Sequence, residues 1–185
     1  ADTVPTETAV IKQNAYPYNN VTCSQAQTLA SNMESGNYTS SLMFGVQWDL
    51  VLKYLETKGT SQTDLKNDST NWGNCYNNLW NITNIESKYT ANGYEWISEA
   101  YGTKTSDSNI LLSTGASDIF CKQGIYDFDG NVWEWTLENT SDLNSPCAYR
   151  GGGYNHKGNS YPVNYRTISA TTGYHVGIGF RVSIF

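Results

Sequence analysis

The chain has 185 residues, of which 14% are aromatic and only 38% hydrophobic, and this is typical of one loop-rich domain with a polar surface. It contains no apolar run of about 18 residues, so no membrane insertion is predicted. Residues 1–142 carry all 17 acids against seven lysines, whereas residues 143–185 carry four cations and no acid. This small basic segment on an acidic chain argues against a nucleic-acid partner. We expect the three arginines to hydrogen bond to loop carboxylates and carbonyls.

Two helices are predicted after a polar N-terminal arm or linker that spans residues 1–15. The first covers Ser24–Met33 and has its apolar residues on one face, and the run Asn20-Val21-Thr22 before it offers N-caps. The second follows Ser41 and ends at Lys58-Gly59. Apolar residues recur in it at helical spacing, namely Val46, Trp48, Leu50, Val51 or Leu52, Tyr54 and Leu55.

Asn-rich runs predict long loops between residues 60 and 117. Aromatic residues such as Trp72, Trp80 and Trp96 are scattered among them, which indicates ordered loops held by buried rings. A short strand is predicted at Leu111-Leu112.

The stretch Gly-Ile-Tyr-Asp-Phe-Asp-Gly-Asn-Val-Trp-Glu-Trp, residues 124–135, is the densest in residues of specific shape. Gly130 before Asn131 predicts a sharp turn. The alternation that follows predicts a strand that carries Trp133 and Trp135 to the core. Further along the chain the pattern predicts a loop at 138–146, a strand at 148–150, a turn at 151–153 and a closing strand at 180–185.

The four cysteines form no Cys-x-x-Cys pair, so a zinc site is not expected. Disulfides in an oxidising compartment and four free buried thiols are equally open interpretations. If a disulfide forms, Cys121–Cys147 is the first choice because this pair flanks the Trp-rich stretch.

Four motifs in order along the chain resemble the formylglycine-generating-enzyme (sulfatase-modifying factor) superfamily. They are the stretch at 124–135; residues 41–48, similar to the family's Arg-Leu-Pro-Thr-x-x-x-Trp; residues 150–154, similar to Arg-Gly-Gly-Ser-Trp; and residues 179–181, the closing Gly-Phe-Arg. The resemblance spans a domain at residues 16–185. It implies an α+β, C-type-lectin-like fold with two helices, short antiparallel strands and many long ordered loops.

The resemblance also implies a tentative calcium site, although no cofactor is expected to be required. Its ligands would be the side chains of Asp127 and Glu134 and the backbone carbonyls of Gly130 and Val132. Hard oxygen ligands on a tight turn suit Ca²⁺. The alternative is that both carboxylates accept hydrogen bonds from loop amides or from an arginine.

Enzymes of this family bind copper through two cysteines that follow the Gly-Gly-Ser motif. Those positions fall on His156 and Tyr161 in this chain, and residues 148–185 contain no cysteine. The related sulfoxide synthases use three histidines to hold iron, and this chain has only two, His156 and His175. We therefore predict no enzymatic activity, with a formylglycine-generating-type oxidoreductase as the alternative.

Residues 154–178 are rich in tyrosine and small polar residues, a composition similar to that of antibody paratopes. Residues 109–185 also resemble the variable proteins of diversity-generating retroelements, in which adenines, commonly those of Asn codons, are mutagenised. The resemblance implies that ten residues of this segment form one ligand-binding surface. They are Asn155, His156, Asn159, Tyr161, Asn164, Tyr165, Ser169, Thr171, Tyr174 and His175. The alternative is a solvated loop without a ligand.

The sequence as a whole predicts a non-enzymatic ligand-binding module of bacterial or phage origin. Its partner would be a protein or a glycan on another cell or phage surface. The expected location is extracellular, on a bacterial cell surface or a virion, and the alternative is cytoplasmic. A structural or assembly domain without a variable site is a further alternative.

Overall fold

The computed structural model describes residues 5, 7–34 and 36–185. The helices in these residues are α1 (Cys23–Ser31), α2 (Gly45–Thr57) and α3 (Gln62–Lys66). The strands are β1 (Ser40–Leu42), β2 (Trp80–Ile82), β3 (Lys88–Thr90), β4 (Ile97–Ser98), β5 (Gly102–Lys104), β6 (Leu111–Leu112), β7 (Cys121–Lys122), β8 (Ile125–Tyr126), β9 (Trp133–Asn139), β10 (Cys147–Arg150), β11 (Arg166–Ser169), β12 (Ile178–Phe180) and β13 (Val182–Ile184). The predicted α+β class is confirmed, and none of the described helices is long and apolar enough to cross a membrane.

Four strands form the central sheet in the order β11-β10-β9-β12. Strand β10 runs antiparallel to β9 and to β11, and β12 runs parallel to β9. The other strands form small sheets that pair β1 with β13, β2 with β5, β3 with β4 and β6, and β7 with β8. The longest strand, β9, therefore lies inside the sheet and carries the Trp-rich stretch into it.

The predicted burial of the two tryptophans of β9 is confirmed. Trp133 and Trp135 point to the same face of β9, and they are 4% and 0% exposed. Helix α1 covers this face with Ala26 and Ala30, both fully buried. The Trp135 indole N–H donates to the carbonyl of Val21, at 2.9 Å, just before the helix begins. The Trp135 side chain thus buries a large apolar area, and its one polar atom, the indole nitrogen, has a hydrogen-bond partner.

Helix α2 begins and ends close to the predicted residues. It stops at Lys58-Gly59, where Gly59 adopts a φ of 97°. Trp48 and Leu55 face the core, and Trp48 stacks on Phe128 with ring centroids 4.1 Å apart. Three residues of the predicted apolar repeat lie on the opposite side and are exposed: Val46, Leu50 and Tyr54. The repeat correctly predicted the helix, but it combines two apolar stripes, and only the one with Trp48 and Leu55 faces the core.

Two other predictions need correction. The region predicted to be loops contains α3, which begins at an N-cap formed by Ser61 and buries only Leu65, so it is too short to show a helical pattern. The single closing strand is two strands, β12 and β13, separated by Arg181. These strands pair with β9 and β1 respectively, in different sheets.

All four cysteines are free, and the predicted pair Cys121–Cys147 was the wrong choice. Cys121 begins β7 and pairs with Tyr126 of β8. Cys147 begins β10 and packs against the same core cluster as Cys23, at the start of α1. Flanking the Trp-rich stretch in sequence did not bring the predicted pair together, because the two cysteines belong to different sheets.

An ion pair between the buried Glu134 and Arg181, whose side chain is 26% exposed, joins the C-terminal strands to the centre of the sheet. The Arg181 guanidinium donates to both carboxylate oxygens of Glu134, at 2.9 and 2.8 Å. Its Nη2 also donates to the carbonyls of Tyr126 and Asp127, at 3.0 and 3.1 Å. The guanidinium carbon lies 5.4 Å from the centre of the Phe128 ring. One side chain therefore connects β9, β8 and the turn between them.

Replacing Glu134 with Gln should lower the free energy of unfolding by about 2–4 kcal/mol, because it leaves the largely enclosed Arg181 charge without an anionic partner. Urea denaturation measures this change. The matched control is Lys53→Gln, which breaks an exposed ion pair with Glu56 in which Lys53 is 69% exposed. The control should cost less than about 1 kcal/mol. Equal losses in the two variants would contradict a central role for the Glu134 pair.

Asp129 places a second carboxyl group in the interior, next to this turn. It is 1% exposed, and its Oδ2 accepts a hydrogen bond from the Cys75 thiol at 3.3 Å. Its Oδ1 has no partner among the described residues. Burial raises the pKa of Asp129 well above its ordinary value of 3.8, although the hydrogen bond from Cys75 opposes the change. The folded chain therefore holds this proton more tightly than the unfolded chain does.

The free energy of unfolding should fall as pH rises from 3.8 towards the folded-state pKa of Asp129. In this pH range Asp129 has lost its proton in the unfolded chain but keeps it in the folded chain. Asp129→Asn removes this dependence. We expect a higher melting temperature than wild type at pH 7 and no gain near pH 3. Thermal denaturation followed by circular dichroism between pH 3 and pH 8 measures both. Parallel pH profiles for the two proteins would show that Asp129 does not hold a proton in the fold.

Candidate functional site

The C-terminal segment turns over the sheet at two glycines that follow β10. Gly151 and Gly152 have φ values of 93° and 72°, which a residue with a side chain rarely adopts. A Cβ atom on Gly152 would lie 2.7 Å from the carbonyl oxygen of Tyr161, and one on Gly151 would press on the ring of Trp48. The chain can return over β9 only because both positions lack a side chain.

Main-chain contacts hold the segment at intervals along its length. The Trp48 indole donates to the Val163 carbonyl at 3.1 Å, and the Ser69 hydroxyl accepts from the Val163 N–H at 2.9 Å. The Asn19 amide donates to the Val176 carbonyl at 2.6 Å. Val163, Val176 and Tyr154 are buried, at 0%, 7% and 6% exposure. These residues anchor the segment to the core.

None of the ten residues predicted to bind a ligand is buried. Five are exposed, namely Asn159, Tyr165, Thr171, Tyr174 and His175. Five are partly buried, namely Asn155, His156, Tyr161, Asn164 and Ser169. Exposed positions therefore alternate with the anchors along residues 154–178, which we call the C-terminal face.

Three of the ten residues gather around Trp133 in an aromatic cluster. The ring centroids of His156, Tyr161 and Tyr165 lie 5.4, 5.7 and 6.1 Å from that of Trp133. Tyr161 is also 4.8 Å from His156 and 4.9 Å from Tyr165, and all of these contacts are edge-to-face. Tyr149 of β10 completes the cluster, 5.2 Å from Trp133. Such pairs contribute about 0.5–1.5 kcal/mol each beyond the buried area, so the exposed rings are held firmly.

Other predicted residues lie away from this cluster. Ser169 is opposite Cys147 at the far end of the β10–β11 pair from Arg150 and Arg166. At the usual rise of a strand this is about 10 Å along β11. Thr171 and Tyr174 follow in the turn after β11, where the Gly173 N–H donates to the Ala170 carbonyl. The ten residues thus spread along a face and do not converge on one cavity.

His156 is held in one tautomer by Trp133. The indole N–H of Trp133 donates to Nδ1 of His156 at 3.2 Å, so this nitrogen carries no proton. Burial lowers the pKa of His156, and the nearby charge of His175 lowers it further. The imidazole is therefore neutral at pH 7 and carries its proton on Nε2.

Glu138 connects β9 to the C-terminal face through two arginines. Arg150 donates to both of its oxygens at 2.7 Å, and Arg166 donates to Oε1 at 3.2 Å. Arg150 also donates to the carbonyl of Asn164 at 3.1 Å. Burial alone would raise the pKa of Glu138, but the hydrogen bonds and charge of Arg150 lower it. The prediction that the arginines bind carboxylates and carbonyls is confirmed, since Arg181 does the same.

Two of the four predicted calcium ligands, Asp127 and Glu134, have partners within the protein in this arrangement. The Asp127 carboxylate accepts from the Gly115 N–H at 2.7 Å, and the Glu134 carboxylate is paired with Arg181. Arg181 also donates a hydrogen bond to the carbonyl of Asp127, so the positive charge of its guanidinium already lies beside these groups. No group of three or more His, Cys, Asp or Glu that could hold a metal occurs within residues 7–34 and 36–185. Calcium binding stays a prediction.

The sequence alone did not indicate that Trp133 would form the base of the exposed cluster. It predicted Trp133 only as a core residue, yet an indole N–H in a core requires an acceptor. The two positions aligned with the copper-binding cysteines, His156 and Tyr161, do meet in space. They offer an imidazole and a phenol where the resemblance implies thiolates, the ligands that suit Cu(I).

The fold can now be compared with known proteins. The family model for the sulfatase-modifying factor enzyme 1-like domain matches residues 6–184. Two solved structures are similar. One is CarF, with a TM-score of 0.58 and 15% identity over 90% of this chain and 66% of that chain. The other is variable protein 1 of Treponema denticola, with a TM-score of 0.52 and 14% identity over 90% of this chain and 70% of that chain.

This chain spans just under two thirds of the length of CarF. Comparison with curated protein sequences finds no match. At 15% and 14% identity, the structural likeness shows the fold, which is C-type-lectin-like as predicted. Because the family model covers almost the whole chain, the protein belongs to the family of sulfatase-modifying factor enzyme 1-like domains.

Proposed function

We propose that this chain is a non-enzymatic ligand-binding module, a variable protein of a diversity-generating retroelement. It binds a protein or a glycan through the C-terminal face, at a bacterial cell surface or on a virion. The observation that carries the proposal is the separation of roles along residues 154–178. Anchor residues are buried, and ten polar or aromatic residues between them are exposed or partly exposed.

This separation suits a surface whose side chains vary. The anchors Val163 and Val176 fill the core and accept hydrogen bonds through their main-chain carbonyls. Exposed residues such as Thr171 and Tyr174 make no part of a core cluster. Substitution at surface positions usually changes stability by about 0.5 kcal/mol or less, so many sequences are compatible with one scaffold.

The aromatic cluster would supply the main contact area. Tyr165 is 39% exposed, and together with Tyr161 it rests on the buried Trp133. Tyrosine offers a large contact area at a low cost in conformational entropy, and a supported ring loses less freedom on binding than a free one. Asn155, Asn159 and Asn164 add hydrogen-bonding groups at the edges.

Two other functions remain as alternatives. A formylglycine-generating-type oxidoreductase is disfavoured because His156 and Tyr161 stand where the family resemblance implies a copper-binding cysteine pair. Copper-dependent oxidation of a Cys-containing peptide by the purified chain would contradict our proposal. A purely structural or assembly domain is disfavoured because the ten residues are not buried.

The gene provides a direct test. We expect the genome to contain a template repeat next to a reverse transcriptase gene. The repeat should differ from the 3′ coding region of this gene at adenines. The differences should fall on codons for the ten residues and spare those for Tyr154, Pro162 and Val163. Absence of such a repeat from the complete genome would contradict the retroelement assignment.

Binding can be tested without knowing the natural ligand. A phage-displayed library that varies the ten positions is selected against a defined protein, hen egg lysozyme. A control library varies ten exposed positions outside the C-terminal face, including Val46, Leu50 and Tyr54 on α2. Binders are expected from the first library at much higher frequency. Equal enrichment from both libraries would mean that the C-terminal face has no special capacity for recognition.

Three tyrosines of the C-terminal face test whether its exposed side chains contribute less to stability than its buried anchors do. Tyr174→Ala should lower the free energy of unfolding by less than about 1 kcal/mol, because its ring is 57% exposed. Tyr165→Ala should cost about 1 kcal/mol or more, because its ring also pairs with those of Trp133 and Tyr161. Tyr154→Ala should cost about 3 kcal/mol or more, because its ring is 6% exposed and leaves a cavity. Urea denaturation measures all three. Similar losses at all three sites would place the exposed tyrosines in the fold's core.

Acid should disrupt the aromatic cluster. Protonated His156 carries a hydrogen on Nδ1 and cannot accept from Trp133. Since the folded-state pKa lies below the ordinary 6.5, the unfolded state binds more protons in this window. Stability should therefore decrease as pH falls below 6.5, until the folded-state pKa is passed.

Histidine NMR titration and chemical denaturation between pH 4 and pH 8 check this expectation. His156→Asn is the matched variant, because its side-chain carbonyl can accept the indole hydrogen bond without titrating. It should lose less stability than wild type over this window. An unchanged acid response in His156→Asn would assign the effect to other groups.

A further inference from the structure

We propose that Cys23 and Cys147 form a disulfide bond when the protein meets an oxidising thiol–disulfide pool. This cross-link would join α1 to the central sheet. It does not depend on the proposed ligand-binding function.

The fold brings these two residues together from distant parts of the sequence. Cys23 is the first residue of α1, directly after the N-cap Thr22, and Cys147 is the first residue of β10. The Cys23 thiol lies 3.9 Å from the carbonyl of Thr136, which pairs with Ala148 in the β9–β10 register. The neighbouring residue, Cys147, is thereby placed near the start of the helix, and both cysteines pack against the same core cluster.

The local packing keeps the pair in place. Both cysteines are partly exposed and pack against the same core cluster, which includes Ala26 and Trp135. A bulge between Cys147 and Ala148 shifts the β9–β10 register there. A disulfide needs the sulfurs to approach to about 2.05 Å, so forming it requires the two side chains to rotate towards each other.

The other two cysteines lack such a partner within the described residues. Cys75 is 1% exposed, and its thiol donates to Asp129. Cys121 lies in the β7–β8 hairpin opposite Tyr126. Oxidation should therefore be selective for one pair of the four cysteines.

The chemistry balances with oxidised glutathione as the oxidant. One protein thiolate attacks glutathione disulfide, releases one glutathione thiolate and forms a mixed disulfide. The second protein sulfur then attacks this bond and releases the second glutathione. The protein loses two electrons and two protons, and the oxidant becomes two thiols. Burial, and then the neighbouring Cys147, raises the pKa of Cys23 to about 12, so exchange should be faster at higher pH.

The bond would close a loop of about 125 residues, and long loops gain the most from cross-linking. We expect the melting temperature of the oxidised chain to rise by about 10 °C or more above that of the reduced chain. Strand β10 also pairs with β11, where Ser169 lies opposite Cys147. Oxidation would thus stiffen one end of the C-terminal face.

The test uses the full chain, incubated with oxidised glutathione at pH 8 and then treated with an alkylating reagent. Non-reducing peptide mass spectrometry should find one cross-linked peptide pair that contains Cys23 and Cys147, while Cys75 and Cys121 stay reduced. Thermal denaturation with and without dithiothreitol should show the rise in melting temperature. Cys23→Ser should lose both the cross-link and the effect of dithiothreitol, and Cys121→Ser should keep both.

Several results would overturn the proposal. One is recovery of Cys23 and Cys147 as alkylated thiols after oxidation of the folded wild-type chain. Another is a cross-link that involves Cys121 or Cys75 in place of this pair. Because the peptide analysis uses the wild-type chain, the outcome is decisive even if Cys23→Ser fails to fold.

Discussion

The ion pair between Arg181 and Glu134 is the interaction on which the rest of the structure depends. It joins three parts of the chain that are not paired with one another as strands. They are the central strand β9, the turn that precedes it, and the linker between β12 and β13. The guanidinium satisfies two carboxylate oxygens and two carbonyls, so a charge is buried without leaving polar groups unpaired. The carboxylate that it pairs with, Glu134, is one of the groups that the family resemblance implies as calcium ligands.

A second network explains how a long loop region is ordered with so little sheet. Asn131, at a φ of 57°, bonds to both the N–H and the carbonyl of Leu112. Its side chain also accepts from Asn74, which in turn donates to the carbonyl of Ile110 and accepts from the Trp80 indole. The buried side-chain amides of Asn131 and Asn74 thus make hydrogen bonds to the main chain that neighbouring strands would otherwise make. They connect the loops to the turn at Gly130. Each of these groups has a partner, which is why such polar residues are tolerated in the interior.

Much of this arrangement was predictable from sequence, and the failures have physical causes. The strand with Trp133 and Trp135, helix α1 and the ends of α2 followed from alternation, caps and a terminating glycine. The exposed apolar stripe of α2 could not be recognised from the sequence. Apolar residues at helical spacing indicate a helix face, but they do not show whether that face is packed against the core or exposed to solvent. The Glu134–Arg181 ion pair and the proximity of Cys23 to Cys147 depend on residues more than 40 positions apart, which no local pattern encodes. The exposure of the C-terminal segment was predicted from resemblance, but its support by Trp133 was not.

The anchors of the C-terminal face have a consequence for how its sequence can change. Trp48, Asn19 and Arg150 all bind carbonyl oxygens in that segment, at Val163, Val176 and Asn164. A carbonyl is the same in every amino acid, so these bonds survive whatever side chain the position carries. At Gly152 the constraint is likewise the close approach of a backbone oxygen, that of Tyr161. The path of the main chain is thus specified independently of the residues it displays, and a new surface needs no new fold.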